Sequence, residues 1–135
     1  MKLAIESLQG ALDEPIALFV ATASFEDRCR TILEGLSGAY ERALLFRNVQ
    51  AGERAAENLQ LMMEFAEGKS HSLALDLDDP MTAARSFRAV LEEAEKGAQG
   101  SIFIDVTTFT HEQLLILFRV LESAKPARNV IFGYT

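Results

Sequence analysis

Apolar runs of strand length alternate along this chain with segments whose apolar residues recur every three or four positions. Ile16 to Ala21 (IALFVA) is a continuous apolar run, followed by Ser24, Phe25, Glu26 and Asp27 and a helical stretch to about Leu36. Ala43 to Phe46 is a second run, and Val49 to Glu53 reads as a connection. Ala55, Ala56, Leu59, Met62, Met63 and Ala66 then recur as the buried face of a helix requires. Ser72 to Leu77 is a third strand candidate, after which Asp79 caps a helix that has Pro80 at its first position. The expected buried stripe of that helix is Met81, Ala84, Phe87, Leu91 and Ala94, with Gly97 at its C-cap. Ile102 to Val106 is a fourth strand, His111 to Ser123 a further helix, and Val130 to Tyr134 the last strand.

Strand and helix therefore alternate as β-α-β-α-β-α-β-α-β. The pattern predicts an α/β fold, a Rossmann-like open parallel sheet of five strands with four helices between them. The strands are apolar throughout rather than alternating, as a sheet covered on both faces needs. Residues 1–12 read either as a short leading helix or as an edge strand. The 135 residues make one domain. The helix over 111–123 carries more apolar surface than one contact uses: Leu114, Leu115, Ile116, Leu117, Phe118, Val120 and Leu121 leave a narrow polar strip of Glu112, Arg119 and Glu122. Either that helix packs deep in the core, or a second copy or a further domain covers it. A sheet of this type normally continues into another helix after its last strand. The expectation is thus a homodimer, or a fragment of a longer protein.

Composition narrows the function. Thirteen Lys+Arg against twenty Asp+Glu leave a net charge of −7, which repels a phosphate backbone and argues against nonspecific nucleic-acid binding. A small anion is still admissible, because backbone amides at helix starts hold it without net positive charge. The single cysteine, Cys29, has no partner for an internal disulfide, which fits a reducing cytoplasm. No secretory signal is visible and no apolar run has the length of a membrane span, roughly 20 residues.

In open parallel sheets, ligands bind beyond the carboxyl ends of the strands, where strand order reverses. The residues expected there are Thr22, Ser24, Phe25, Glu26, Asp27 and Arg28 after the first strand, and Arg47 and Asn48 after the second. The run from Asp105 to Glu112 follows the fourth strand, with Tyr134 and Thr135 after the last. Two loops look alike, each with a capping signature: Ser24 with Asp27, and Thr110 with Gln113. Thr107 and Thr108 add hydroxyls that capping does not require. With strand order 3-2-1-4-5 both loops line one crevice, suited to phosphate or ribose oxygens. Thr22, Ser24, Arg28, Thr107, Thr108 and Thr110 are the candidate ligand-binding residues.

Asp105 ends an apolar strand and needs a partner if buried. Arg28 either supplies it or faces the crevice and holds a phosphate. Glu26, Asp105 and Glu112 are the weak candidates for acid/base chemistry, although an acid in a first helical turn is also ordinary dipole chemistry. Cys29 reads as a small buried hydrophobe, and His71 and His111 as surface residues. Asp76, Asp78 and Asp79 form an acidic run, but Asp79 is already a cap. No metal site or cofactor is therefore expected. There is no G-x-G-x-x-G, Walker A or G-x-S-x-G pattern, and no zinc spacing.

The segment Asp105-Val106-Thr107-Thr108-Phe109-Thr110-His111 resembles the signature of CRISPR-associated Rossmann-fold (CARF) sensor domains, an Asp-x-Thr-Gly-Gly-Thr-Lys type motif. Asp105, Thr107 and Thr110 match; Thr108 and Phe109 stand in place of the glycines and His111 in place of the lysine. The resemblance implies a homodimer that binds a nucleotide second messenger above the strand ends, as part of a prokaryotic defence or signalling protein. A second stretch, Phe19 to Arg28 with its Ser24-Phe25-Glu26-Asp27-Arg28, is similar to the first box of TIR domains, which implies cleavage of NAD. The Ser-x-x-Trp-x-x-x-Glu stretch of that family has no counterpart, and the chain contains no tryptophan.

The leading expectation is thus a sensing domain for a nucleotide-type anion, binding rather than catalytic. The alternatives are a TIR-like enzyme acting on a nucleotide or NAD, and a domain devoted to association alone.

Overall fold

The computed structural model describes Leu12 and residues 14–48, 52–75, 79–95 and 99–135. Residues 1–11 of the leading segment, residues 49–51, Asp76, Leu77, Asp78 and the Gly97 C-cap lie outside the described residues.

The strands are β1 (Ile16–Ala23), β2 (Tyr40–Asn48), β3 (Ser70–Leu75), β4 (Ser101–Asp105) and β5 (Val130–Gly133). The helices are α1 (Thr31–Leu36), α2 (Gly52–Phe65), α3 (Pro80–Glu95) and α4 (His111–Ala124). All strand pairs are parallel, in the order β3-β2-β1-β4-β5. This is the α/β Rossmann-like sheet that the alternation of elements predicted.

Side-chain alternation along β1 divides the core. Leu18 and Val20 pack with Leu44, Phe46, Ile102 and Ile104 under α3 and α4, through Phe87, Val90, Leu91, Leu117 and Val120. Phe19, Ala21 and Ala23 pack on the opposite face with Ile32, Leu33, Leu36 and Met62 of α1 and α2. Chain leaving β1 therefore turns towards one face and chain leaving β4 towards the other. Their carboxyl ends part, and a crevice opens between two neighbouring strands. β1 runs two residues further than its apolar run suggests, which places Thr22 inside the sheet.

Local capping sets where the long helices begin. Asp79 Oδ1 accepts from the amides of Met81 at 3.1 Å and Thr82 at 3.2 Å, so α3 starts at Pro80 as expected. Thr110 and Gln113 form a complete capping box for α4. The first helix departs from expectation. It opens as a 3-10 turn over Asp27–Arg30, with Glu26 at the N-cap and no side-chain cap bond. Ser24 does not cap with Asp27, because its Oγ accepts from the Glu26 amide two residues on and Asp27 is drawn to Arg54 and Asn58.

The α3 stripe also needs correction: Met81 is 63% exposed, and Ala83 and Val90 are buried with Phe87, Leu91 and Ala94. At 100° per residue Met81 lies about 120° round the helix from Phe87, off the sheet-facing side. On α4, Gln113, Leu117 and Val120 are buried while Leu115 and Phe118 are exposed. The rings of Phe118 and Phe132 meet edge to face at 5.5 Å. Among the described residues no helix is long and apolar enough to cross a membrane.

Candidate functional site

At the parting of β1 and β4 lies a cleft of about 430 Å³, lined by Thr22, Ala23, Ser24, Phe25, Glu26, Arg28, Asn48, Thr107, Thr108, Phe109, Thr110 and Gln113. That volume is within the usual range for small-molecule sites. All six residues expected to bind ligand are therefore brought together, and the strand order they required is the one observed.

The β4–α4 loop is built by its own polar groups. The Phe109 amide donates to the Val106 carbonyl at 3.2 Å, closing a turn with Thr107 and Thr108 at its corners. Asp105 Oδ1 accepts from the Thr107 amide at 3.0 Å and from the Thr107 hydroxyl. Thr107 Oγ1 in turn accepts from the Thr135 amide at 3.0 Å. The Thr108 hydroxyl donates to the Thr22 carbonyl at 2.7 Å, tying this loop to β1. Thr107 and Thr108 thus hold the crevice in shape, and their hydroxyl protons are already engaged.

Asp105 is 2% exposed and its Oδ2 has no hydrogen-bond partner among the described residues. Its carboxyl is pushed up to about 6, first by burial, against the two Thr107 hydrogen bonds and the Arg28 charge that lower it. Arg28 is not its hydrogen-bond partner. The guanidinium instead donates from Nε to Glu26 Oε2 at 2.7 Å, and from Nη1 to the Thr135 carbonyl at 3.2 Å and the Tyr134 hydroxyl at 3.5 Å. The Arg28 side chain lines the crevice. Glu26 holds its Nε, and the Tyr134 ring lies 5.9 Å from its central carbon.

The β1–α1 loop is anchored from below. Asn58 of α2 is fully buried, and its Nδ2 donates to the Ser24 carbonyl at 2.7 Å. The Cys29 amide donates to the Glu26 carbonyl at 3.1 Å. Phe25 sits between these two fixed carbonyls and is 65% exposed. Cys29 itself is buried, and burial pushes its thiol up, so the neighbouring arginines do not create a reactive thiolate.

The three candidate acids are not gathered. Only Glu26 lines the cleft; Glu112 is exposed in the first turn of α4, and Asp105 is closed off beneath Thr107. Among the described residues no group of His, Cys, Asp and Glu is arranged to hold a metal ion.

Several residues that matter here carried no sequence signal of a site. Asn58 was hidden as one more position on the α2 face, though a polar residue between Ala55 and Met62 is the trace it leaves. Gln113 was assigned only to the capping box. That box uses its Oε1, while its Nε2 is buried without a partner, as is Thr22 Oγ1. Both residues line the cleft. Among the described residues the unpartnered polar atoms at the cleft are therefore an amide donor and a hydroxyl that can donate or accept. Both belong to residues at the cleft wall beside the start of α4, where the helix dipole is positive.

No protein-family model matches the chain, and no curated protein matches it.

Proposed function

We propose that this chain is a ligand-sensing domain that takes a small nucleotide-type anion in the cleft between the first and fourth loops. The observation that carries this reading is a pair of buried polar atoms without a partner among the described residues, Gln113 Nε2 and Thr22 Oγ1, in two residues that line the cleft beside the positive end of the 14-residue α4. Arg28 Nη2 makes no bond among the described residues and adds a planar charge at the same mouth. The resemblance of Asp105 to His111 to the CARF signature favours a nucleotide second messenger and a role in signalling or prokaryotic defence. The exposed Leu115, Phe118 and Phe132 suit a homodimer or a further domain of the same protein. A buried free thiol suits a reducing cytoplasm.

A thermal-shift panel of cyclic oligonucleotides, NAD, ADP-ribose, ATP and mononucleotides tests the reading. A ligand at about a hundred times its dissociation constant should add roughly 2.7 kcal/mol of stability, a rise of several degrees for a domain of this size. Arg28→Ala should weaken that ligand while leaving the unliganded transition in place, because the Arg28 side chain is 41% exposed and its ion pair with Glu26 lies at the surface. A flat panel overturns the sensing reading in favour of an association domain. Turnover of a panel member with Arg28→Ala unaffected would point to an enzyme instead.

A further inference from the structure

We infer that Phe25 is the platform on which the planar base of a nucleotide ligand stacks. This rests on the anion reading above and adds to it the other end of the ligand. Phe25 lines the cleft and is 65% exposed, yet its backbone is pinned on both sides. The Ser24 carbonyl is held by buried Asn58 at 2.7 Å and the Glu26 carbonyl by the Cys29 amide at 3.1 Å. An aromatic side chain carried on a braced backbone at the rim of a polar cleft needs no loop ordering to meet a ligand, and every base offers it a π-face.

The cleft is also divided by charge. Thr22 Oγ1 and Gln113 Nε2 are without a partner among the described residues, whereas the Glu26 carboxylate, next to Phe25, is paired with Arg28 at 2.7 Å. A phosphoryl group belongs with the donors. Sugar hydroxyls or an exocyclic amine suit the acceptor side offered by Glu26.

Calorimetric titration of the protein with adenosine monophosphate, cytidine monophosphate, ribose 5-phosphate and inorganic phosphate tests this. Both nucleotides should bind on the order of ten-fold more tightly than ribose 5-phosphate, as base stacking on one aromatic ring implies. Phe25→Ala should abolish that preference and leave ribose 5-phosphate binding unchanged. Phe25→Leu, which keeps apolar area without a ring face, should behave like Phe25→Ala, and Phe25→Tyr should restore the preference. The exposure of Phe25 keeps all three variants folded. Equal binding of ribose 5-phosphate and the nucleotides, or a preference that survives Phe25→Ala, overturns the stacking platform and leaves the anion cleft standing. Silence of all four probes with the unaltered protein overturns both.

Discussion

Gly100→Ala should cost this domain roughly 4 kcal/mol, the sum of backbone strain and a steric clash of about 2 kcal/mol each. Gly100 has φ of 149°, a conformation that residues with a side chain rarely adopt. A Cβ there would stand 2.4 Å from the Pro15 carbonyl oxygen and 3.0 Å from the Ala17 nitrogen, both backbone atoms. Neither can move aside freely. The Pro15 carbonyl accepts from the Ser101 amide at 2.9 Å, which starts the β1–β4 pairing, and Ala17 is buried in the central strand. With domain stabilities of 5–15 kcal/mol, such a loss removes a large share of the total. Chemical denaturation should show a much lower midpoint with an unchanged slope. A midpoint within experimental error of the parent would mean that β1 and β4 do not approach as closely as this register requires.

The second large effect concerns pH. In the folded chain the Asp105 carboxyl is pushed up to about 6 from an ordinary 3.8, with burial as the main cause. The folded state therefore holds this proton over a pH range in which the unfolded state has lost it. The sign follows: the contribution of Asp105 is fully present below about pH 4 and is lost as pH rises through about 6. The gap is worth roughly 3 kcal/mol across that window. Asp105→Asn keeps an oxygen to accept the two Thr107 hydrogen bonds and has no charge to bury. Relative to the unaltered protein, the variant should gain about 3 kcal/mol of stability between pH 4 and pH 7. Urea unfolding of both proteins at several pH values measures this difference, from which the other carboxylates cancel. A difference that stays constant with pH would show that Asp105 does not titrate in this window.

Both effects arise where the chain brings distant segments together, and the same boundary separates what could be read in the sequence from what could not. Element order was legible because each strand is a short apolar run and each long helix repeats its apolar residues at three and four. The Asp79 and Thr110 caps were legible because each acts within three residues of itself. The loop after β1 misled for the same local reason: Ser24 and Asp27 have capping spacing, but Asp27 found Arg54, 27 residues away, at 2.5 Å. Met81 was placed on the wrong side of α3 because a residue in the first turn fits two apolar stripes until the sheet chooses one.

The candidate site shows the same division. The gathering of Thr22, Ser24, Arg28, Thr107, Thr108 and Thr110 follows from strand order, and their types could be read directly. Which of their atoms stay open to a ligand could not. Thr107 is engaged by Asp105 and by Thr135, 28 residues on, and Thr108 by the Thr22 carbonyl, 86 residues back. Arg28 turns to Glu26 and to Tyr134, 106 residues away, rather than to Asp105.

The sequence by itself determined the alternation of strands and helices, the covering of the sheet on both faces and the starts of the two longest-capped helices, because periodicity and capping are short-range and written in neighbouring residues. Only the tertiary structure decided which hydroxyls brace the crevice, which polar atoms remain open in it and that the Asp105 carboxyl is buried with one oxygen unpartnered among the described residues. Those outcomes depend on hydrogen-bond partners far apart in the chain and on exclusion from water, and neither is encoded in spacing.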